Sequence, residues 1–283
     1  MSLIECVPNF SEGRDLQVVG AIRDAVQSAG VTLLGCESDI DHNRSVLTIV
    51  GAPDAVCEAA VRGACAAAER IDLRRHDGVH PRIGAADVIP FIPLRDASMD
   101  DCARIAHQAA EQIWQRARVP SYFYEFASPT QRRLEEVRND RTSPPDVGGP
   151  DRHPSAGACV IGARRILIAC NVNLDSYDLA VAKRIARRIR ASSGGFAHVK
   201  ALGFQLASQR CVQMSMNLTW HEVTPLGVVY DEVQRLAKEE GVAIAATELI
   251  GFLPRAAAEG APDFIAKCRN FHAGRILENN LPA

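Results

Sequence analysis

Hydrophobic and polar residues alternate along the chain with two different periods, which predict short strands and amphipathic helices in turn. The first half predicts the order βαββαβ. Its elements are LIECV, Asp15–Ala29, VTLLGC, SVLTIVG, Pro53–Arg70 and VIPFIPL. A helix from Ser98 to about Ala117 and a strand at VPSYFYEF follow.

The second half repeats this order. Its elements are RILIACNV, Ser176–Arg190, HVKALGFQL, CVQMSMNL, Thr224–Glu240 and VAIAATEL. Two such units predict an α+β, sandwich-like fold, in which each subdomain is built on a ferredoxin-like βαββαβ sheet with helices on its outer face. The Pro- and Gly-rich segment from Arg141 to Ala163 predicts a linker or a functional loop. We therefore expect an N-terminal subdomain at 1–175 and a C-terminal subdomain at 176–283.

Local signals mark where helices begin and strands end. Pro53 suits the first turn of its helix, and Ser98 and Thr224 are predicted N-caps. In CVPNFSE and CNVNLDS, Asn9 and Asn173 are predicted to lie in turns from strand to helix, where backbone N–H groups can bind a ligand. Asn is equally an ordinary turn residue, so both are only candidates.

Composition narrows the class of protein. Of 283 residues, 47% are hydrophobic and 23% are charged, as in ordinary globular proteins, and no apolar run is long enough for a membrane span. The net charge of −2 gives no electrostatic basis for binding nucleic acid, and the basic run KRIARRIR fits a solvated amphipathic helix. Nine scattered cysteines without a C-x-x-C pair indicate buried thiols in a reducing compartment, so we expect a cytoplasmic protein.

The segment RHDGVHPRIGAADVIPF, which starts at Arg75, holds the strongest candidate for chemistry. Gly78 and Pro81 interrupt any helix there, so His76 and His80 do not project from one helical face as the ligands of a helical zinc site do. A loop histidine beside cationic and acidic groups is a candidate general acid or base, because its ordinary pKa is about 6.5. His80 is therefore a candidate, with an inert surface histidine as the alternative.

Two further polar sets stand out. In CESDIDHNRSV (Cys36–Val46), a carboxylate could orient an imidazole and Arg44 could clamp a substrate carboxylate. Alternation places Gln213, Ser215 and Asn217 on one face of the strand CVQMSMNL, where amides could bind a heteroaromatic ring. Each set has a plainer interpretation, a solvated hairpin or a solvated sheet face, which the sequence leaves open.

The chain resembles the glutamate formimidoyltransferases, the formiminotransferase part of formimidoyltransferase-cyclodeaminase, in six motifs that occur in the same order. These are ECVPNFSEGRD, NRSVLTIVG, RHDGVHPRIGAADVIPFIPLR, GARRILIACNVNL, QMSMNLTWHEVTPLGVVYDE and ELIGFLP. The resemblance, over residues 3–255, implies two α/β subdomains that share a folate-binding groove.

It also implies a reaction of histidine degradation and one-carbon metabolism. The formimidoyl group of N-formimidoyl-L-glutamate passes to tetrahydrofolate, giving 5-formimidoyltetrahydrofolate and L-glutamate. Tetrahydrofolate is then a co-substrate, no metal is expected, and a homodimer is implied.

The resemblance assigns roles to individual residues. His80 falls on the family's catalytic histidine. The acidic partner falls on Glu37, where the family has Asp, so whether Glu37, Asp39 or Asp41 holds His80 is open. Arg44 is grouped with them as a clamp for a substrate carboxylate. The residues expected to bind substrates, from the family or from the patterns above, are Asn9, Arg82, Gly162, Ala163, Arg164, Asn171, Asn173, Leu202, Gly203, Phe204, Gln213 and Asn217.

Other functions stay open on the sequence. One is a non-catalytic folate-binding relative, and another is a formyltransferase that uses N-formylglutamate. A metal-dependent hydrolase with His42, His76, His80 and His153 as ligands is the third, although the loop placement of these histidines argues against it.

Overall fold

The computed structural model describes residues 2–79, 81–140 and 142–282. The chain divides into two compact units, Met1–Arg165 and Ile166–Ala283. Each unit has its own β-sheet and its own hydrophobic core, so the expected mixed α/β fold with two sheets is confirmed. The second unit begins before residue 176, because the strand that precedes that residue pairs only with strands of the second sheet.

The first unit is built on a seven-stranded sheet. Its strands are β1 (Leu3–Cys6), β2 (Asn9–Phe10), β3 (Thr32–Asp39), β4 (Arg44–Gly51), β5 (Ala86–Arg95), β6 (Ser121–Glu125) and β7 (Cys159–Ala163). Its helices are α1 (Leu16–Gln27), α2 (Pro53–Arg70), α3 (Met99–Ala117) and α4 (Leu134–Asn139), with a 3-10 turn at Leu73–Arg75. β1 and β2 are consecutive pieces of one line, since both pair with β4 and with β5. The parallel strands β5, β7 and β6 complete the sheet.

The two faces of this sheet differ in chemistry. Ile4, Leu47 and Phe91 point to the face that packs against α2 and α3, where they belong to the main core. Strand side chains alternate between faces, so their neighbours point the other way. We call that second side the charged face, and its polar members include Glu5, Asn9, Glu37, Asp39 and Arg44.

The second unit is built on a four-stranded antiparallel sheet. Its strands are β8 (Ile168–Leu174), β9 (Val199–Leu206), β10 (Cys211–Leu218) and β11 (Ile244–Ile250), in the order β11, β8, β10, β9. Its helices are α5 (Leu179–Ile189), α6 (Leu226–Glu239), α7 (Arg255–Glu259) and α8 (Pro262–Ala266). Shorter 3-10 turns lie at Ala191–Ser193, Ala273–Arg275 and Leu277–Asn280. The predicted element order βαββαβ is found from β8 to β11.

This sheet also has two unlike faces. Val172 and Met214 point into a core that includes Tyr230 of α6. The basic helix α5 buries Ile185 and Ile189 there, as its amphipathic pattern predicts. We call the opposite side the amide face, and its polar members include Asn171, Asn173, Gln213, Ser215, Asn217 and Glu248.

The helix starts follow the predicted chemistry at two of three positions. Pro53 occupies the first turn of α2, and Ser98 forms a capping box with Asp101 at the start of α3. The prediction that Thr224 caps α6 is wrong, because its hydroxyl donates to the carbonyl of Ala197 (2.6 Å) instead. Pro225 stands at that N-cap without a side-chain hydrogen bond.

Three other sequence predictions are corrected. The segment 141–163 is not irregular throughout, since its last five residues form β7, a buried strand of the first sheet. Asn9 and Asn173 do not lie in turns but within β2 and β8. The turns come later, and the side chains of Asp15 and Asp178 cap the helices that follow.

Candidate active site

Two loops of the first unit meet at one end of the charged face. The connection of β3 to β4 contacts the loop before β5, because the amide of Asn43 donates to the carbonyl of Asp77 (2.8 Å). Gly78 makes this approach possible, since a Cβ there would lie 2.6 Å from the carbonyl oxygen of His42. His80 belongs to this loop by sequence but lies outside the described residues.

A carboxylate and an imidazole are paired in the first of these loops. Oδ1 of Asp39 accepts hydrogen bonds from the backbone N–H (2.7 Å) and from Nδ1 (2.9 Å) of His42, which is buried. Partial burial of Asp39 acts to raise its pKa, but the hydrogen bonds from His42 outweigh it and hold the pKa below its ordinary value. Asp39 is therefore a fixed anion at neutral pH.

Arg82 joins the two loops. Its guanidinium contacts the ring of His76, with Nη1 2.8 Å from Nε2, and it donates through Nη2 to the carbonyl of His42 (3.0 Å). Burial, and then the charge of Arg82, lower the pKa of His76. His76 is thus held neutral beside a cation.

A buried ion pair supports this end of the face. Asp87 is 2% exposed and pairs with Nη2 of Arg138 on α4, while its Oδ1 accepts from the N–H of Ile83 (2.7 Å). Burial lowers the pKa of Arg44 to about 10, although the charge of Asp87 acts in the opposite direction. Three arginines, at 44, 82 and 138, therefore concentrate positive charge around a single buried aspartate, in an arrangement that favours anionic groups.

The remaining candidates of the N-terminal motifs lie further along the same face. Glu37 stands on β3 opposite Val46, one pleat away from Asp39. Asn9 pairs in register with the same valine, and its amide donates to the carbonyl of Val7 (2.9 Å) across the break between β1 and β2. The structure thus aligns Glu37, Asp39 and Arg44 on one face, while the amide of Asn9 is engaged by the backbone.

The segment at 162–164 divides between the two faces. Gly162 lies opposite Tyr124 on the charged side of the sheet, whereas Ala163 is buried in the helix-packed core. Arg164 follows directly, and Nη1 donates to the carbonyl of Arg165 (2.8 Å). Ala163 therefore does not share a surface with the other candidates.

Glu5 is a member of this face that the sequence did not single out. It is 5% exposed, and burial raises its pKa from 4.5 to about 7, against the opposing charge of Arg164. The only sequence signal is one acidic residue inside the apolar run LIECV, which on its own resembles an ordinary solvent-facing strand position.

The amide face of the second unit carries a hydrogen-bonded row of side-chain amides, one of which donates to a carboxylate. Nε2 of Gln213 donates to Oδ1 of Asn173 (2.9 Å), and Nδ2 of Asn173 donates to Gln209 (3.2 Å). Nδ2 of Asn171 donates to Glu248 (2.9 Å), a partner that the sequence did not reveal because it lies on another strand. Gln213 is fully buried, and within the described parts of the chain its Oε1 has no hydrogen-bond partner.

The three candidates on β9 do not lie on one face of the sheet. Leu202 and Phe204 lie in register with Ser215 and Gln213, on the amide face, and Leu202 is exposed. Gly203 faces α5 instead, where a Cβ would lie 2.9 Å from the backbone nitrogen of Lys183. Gly203 thus serves close packing of helix on sheet. Asn217 lies on the amide face opposite Lys200.

Two other kinds of feature, a metal site and a membrane span, are absent from the described residues. Across 2–79, 81–140 and 142–282, no group of three or more His, Cys, Asp or Glu residues is placed to hold a metal ion. No helix in that part of the chain has the length and apolar character that a membrane span requires.

Comparison with known proteins defines the class. The family model of the N-terminal subdomain of the formiminotransferase domain matches residues 3–164, and that of the formiminotransferase domain matches residues 169–278. The fold, the site and these matches together define an enzyme of the transferase class.

Individual relatives match this chain over nearly its whole length. The glutamate formimidoyltransferase of Thermoplasma acidophilum is 41% identical, over 99% of this chain and 98% of the relative. That of Streptococcus pyogenes is 37% identical over the same shares. The formimidoyltransferase-cyclodeaminase of Rattus norvegicus is 37% identical, over 99% of this chain but 56% of the relative. The chain belongs to the formiminotransferase family.

Proposed function

We propose that this enzyme transfers the formimidoyl group of N-formimidoyl-L-glutamate to tetrahydrofolate, giving 5-formimidoyltetrahydrofolate and L-glutamate. The observation that carries the proposal is the 41% identity, over nearly the full length of both chains, to a glutamate formimidoyltransferase. The cluster of arginines and carboxylates on the charged face supports it, because both substrates are polyanionic and the transferred group is cationic.

The chemistry needs timed proton transfers. The N5 lone pair of tetrahydrofolate attacks the amidine carbon, and His80 takes the N5 proton as a general base. The tetrahedral intermediate then expels the amine of glutamate, which receives that proton back from His80, and the carbon to glutamate-nitrogen bond breaks. Proton balance closes without a metal or a covalent enzyme intermediate.

Glu37 is proposed as the carboxylate that orients His80. Oδ1 of Asp39 already accepts two hydrogen bonds from His42, so Asp39 is proposed to act on His80 indirectly, by fixing the loop between β3 and β4. Arg44 and Arg82 are proposed to hold substrate carboxylates. The guanidinium of Arg82 contacts the ring of His76, and this contact fixes the position of Arg82 before substrate binds.

The amide face is proposed to bind the pterin ring of folate. The buried Oε1 of Gln213 lacks a donor, and a pterin edge carries N–H donors that match it. Phe204 lies in register with Gln213 and Leu202 with Ser215, and both offer apolar contact.

The proposal extends to the fold of each subdomain, the oligomeric state and the location of the protein. We place a ferredoxin-like fold in each subdomain, a homodimer in solution and a cytoplasmic location. The second subdomain is the better case for that fold, because its four strands run antiparallel in the order β11, β8, β10, β9.

The reaction itself is tested with purified protein. Tetrahydrofolate is incubated with N-formimidoyl-L-glutamate or with N-formyl-L-glutamate, and the folate products are separated by chromatography. We expect 5-formimidoyltetrahydrofolate from the first donor. Tight folate binding without transfer from either donor would instead identify a non-catalytic folate-binding relative, and transfer from the formyl donor alone would identify a formyltransferase.

A further inference from the structure

The Glu5 carboxyl is buried without a partner. It is 5% exposed on β1, between Val50 of β4 and Ile92 of β5, and no group in the described ranges donates a hydrogen bond to it. A buried carboxylate without donors is costly, which is why burial raises its pKa. Folding alone gives no reason to place this group here, since an apolar side chain would cost nothing.

The positive charge of Arg164 acts on Glu5. Ile92 pairs with Glu5, and the backbone N–H of Arg164 donates to the carbonyl of Phe91 on the same strand, so the backbones of Glu5 and Arg164 lie two strand spacings, about 10 Å, apart. The charge of Arg164 acts on the pKa of Glu5, yet no Arg164 nitrogen lies within 4.0 Å of the Glu5 carboxylate. The two charges interact but form no direct ion pair, and together they match a ligand that carries both signs.

A formimidoylated amino acid has that distribution of charge. Its amidine is protonated at neutral pH, so it is a planar cation with several N–H donors, and it is attached to a carbon that bears a carboxylate. A carboxylate binds such a planar cation through two parallel hydrogen bonds, as it binds a guanidinium. An N-formyl group is a neutral amide, and it offers no positive charge to a buried carboxylate.

We propose that Glu5 selects the cationic formimidoyl donor over a neutral formyl donor, with its carboxylate on the amidinium and Arg164 on a carboxylate of the same molecule. The inference rests on the proposed function and specifies the donor for that reaction. The pKa of about 7 agrees with it, because an amidinium that arrives at the carboxyl favours the ionised form.

The test is the variant Glu5→Gln, which keeps the size of the side chain and removes its charge. We expect kcat/KM for N-formimidoyl-L-glutamate to fall about tenfold or more, while kcat/KM for N-formyl-L-glutamate and the KM for tetrahydrofolate stay unchanged. Arg164→Gln is expected to weaken both donors by the same factor, because both carry the glutamate carboxylates. Glu111→Gln, an exposed position on α3, is the matched control and changes neither.

Unchanged discrimination between the donors in Glu5→Gln would overturn the proposal, and so would a rise in the KM for tetrahydrofolate alone, which would assign Glu5 to folate. Calorimetric binding of each donor separates this inference from the reaction. If wild-type protein transfers neither group, the proposed function fails. The Glu5 proposal then stands if the protein binds the formimidoyl compound and Glu5→Gln loses that binding, and it fails if the variant keeps it. Circular dichroism of each variant confirms that it is folded.

Discussion

The charged face and the amide face occupy corresponding positions in their units, on the side of the sheet away from the large helices. They differ in the kind of polar group that they bury and in how those groups are compensated. The charged face carries ionised groups such as Asp87 and Arg138, which are compensated by pairing, and Glu5, which is not. The amide face carries neutral side chains such as Asn173 and Gln213, which are linked to one another by hydrogen bonds.

The difference fits the substrate-binding roles that we propose for the two faces. Buried charge is retained at a cost to stability, so it is expected where substrate charge must be recognised or moved. Buried amides that are hydrogen-bonded to one another cost little stability. They present both donors and acceptors, which suits a neutral heteroaromatic ring. The contrast predicts that substitutions on the charged face change stability with pH, whereas substitutions on the amide face do so much less.

The largest effect is expected when one partner of the buried ion pair is removed. Arg138→Met leaves Asp87, which is 2% exposed, with backbone donors but without the cation that contacts it directly, and we expect a loss of about 3 kcal/mol in the free energy of unfolding. Urea denaturation at pH 7 measures it. The double variant Asp87→Asn with Arg138→Met should recover much of the loss, and a loss in the double variant equal to that of Arg138→Met would show that the charge of Asp87 is not the cause.

The second largest effect on stability is expected from Glu5, whose buried carboxyl has no hydrogen-bond partner among the described residues. The pKa of Glu5 is raised from 4.5 to about 7, so the folded state binds more protons than the unfolded state between those values. Wild-type stability must therefore fall as pH rises through this window, by up to about 3 kcal/mol. Glu5→Gln removes this fall, and denaturation at pH 4 and pH 8 should show the variant gaining on wild type only at pH 8. Equal differences at both pH values would contradict the burial of an ionisable Glu5.

On the amide face a smaller and pH-independent effect is expected. Gln213→Leu removes the donor to Oδ1 of Asn173 and the buried acceptor Oε1, so we expect folate to bind about tenfold more weakly, with about 1 kcal/mol lost in stability at any pH. Calorimetric titration with folate measures the affinity. Met214→Leu, next in the chain but facing the core, serves as control and should keep it.

Asp39 is expected to contribute least. Its lowered pKa stabilises the fold above the ordinary pKa of an aspartate, and this contribution is lost as pH falls through the lower value in the folded protein. Asp39→Asn should therefore cost less than about 1 kcal/mol at pH 7, because the side chain is 36% exposed and solvent screens it, and less still near pH 3. A larger cost at pH 3 than at pH 7 would contradict this assignment.

The elements of both units follow closely from periodicity and helix-start chemistry, because those signals are local. α2 spans the predicted residues Pro53–Arg70, and Ser98 caps α3. β7 escaped prediction because it is short and follows a Pro- and Gly-rich segment, and its pairing with β5 and β6 is set by residues distant in sequence.

The candidate site was harder to predict from the sequence, because its side chains come from distant parts of the chain. Asp87 and Arg138 are 51 positions apart, and Asn171 and Glu248 are 77 apart, so no local pattern joins them. The burial of Glu5 depends on the two strands that flank β1, which the run LIECV does not specify. His80 and the motif around it were recognisable because their residues are contiguous.

The most direct test of the proposed reaction is single-turnover transfer from N-formimidoyl-L-glutamate to tetrahydrofolate by wild-type protein and by His80→Ala. We predict that wild-type protein forms 5-formimidoyltetrahydrofolate. In the variant, the rate should be about 100-fold to 10,000-fold lower, with the affinity for tetrahydrofolate nearly unchanged, because a general acid–base group is lost but binding groups are kept. An undiminished rate in His80→Ala, or no product from wild-type protein, would contradict it.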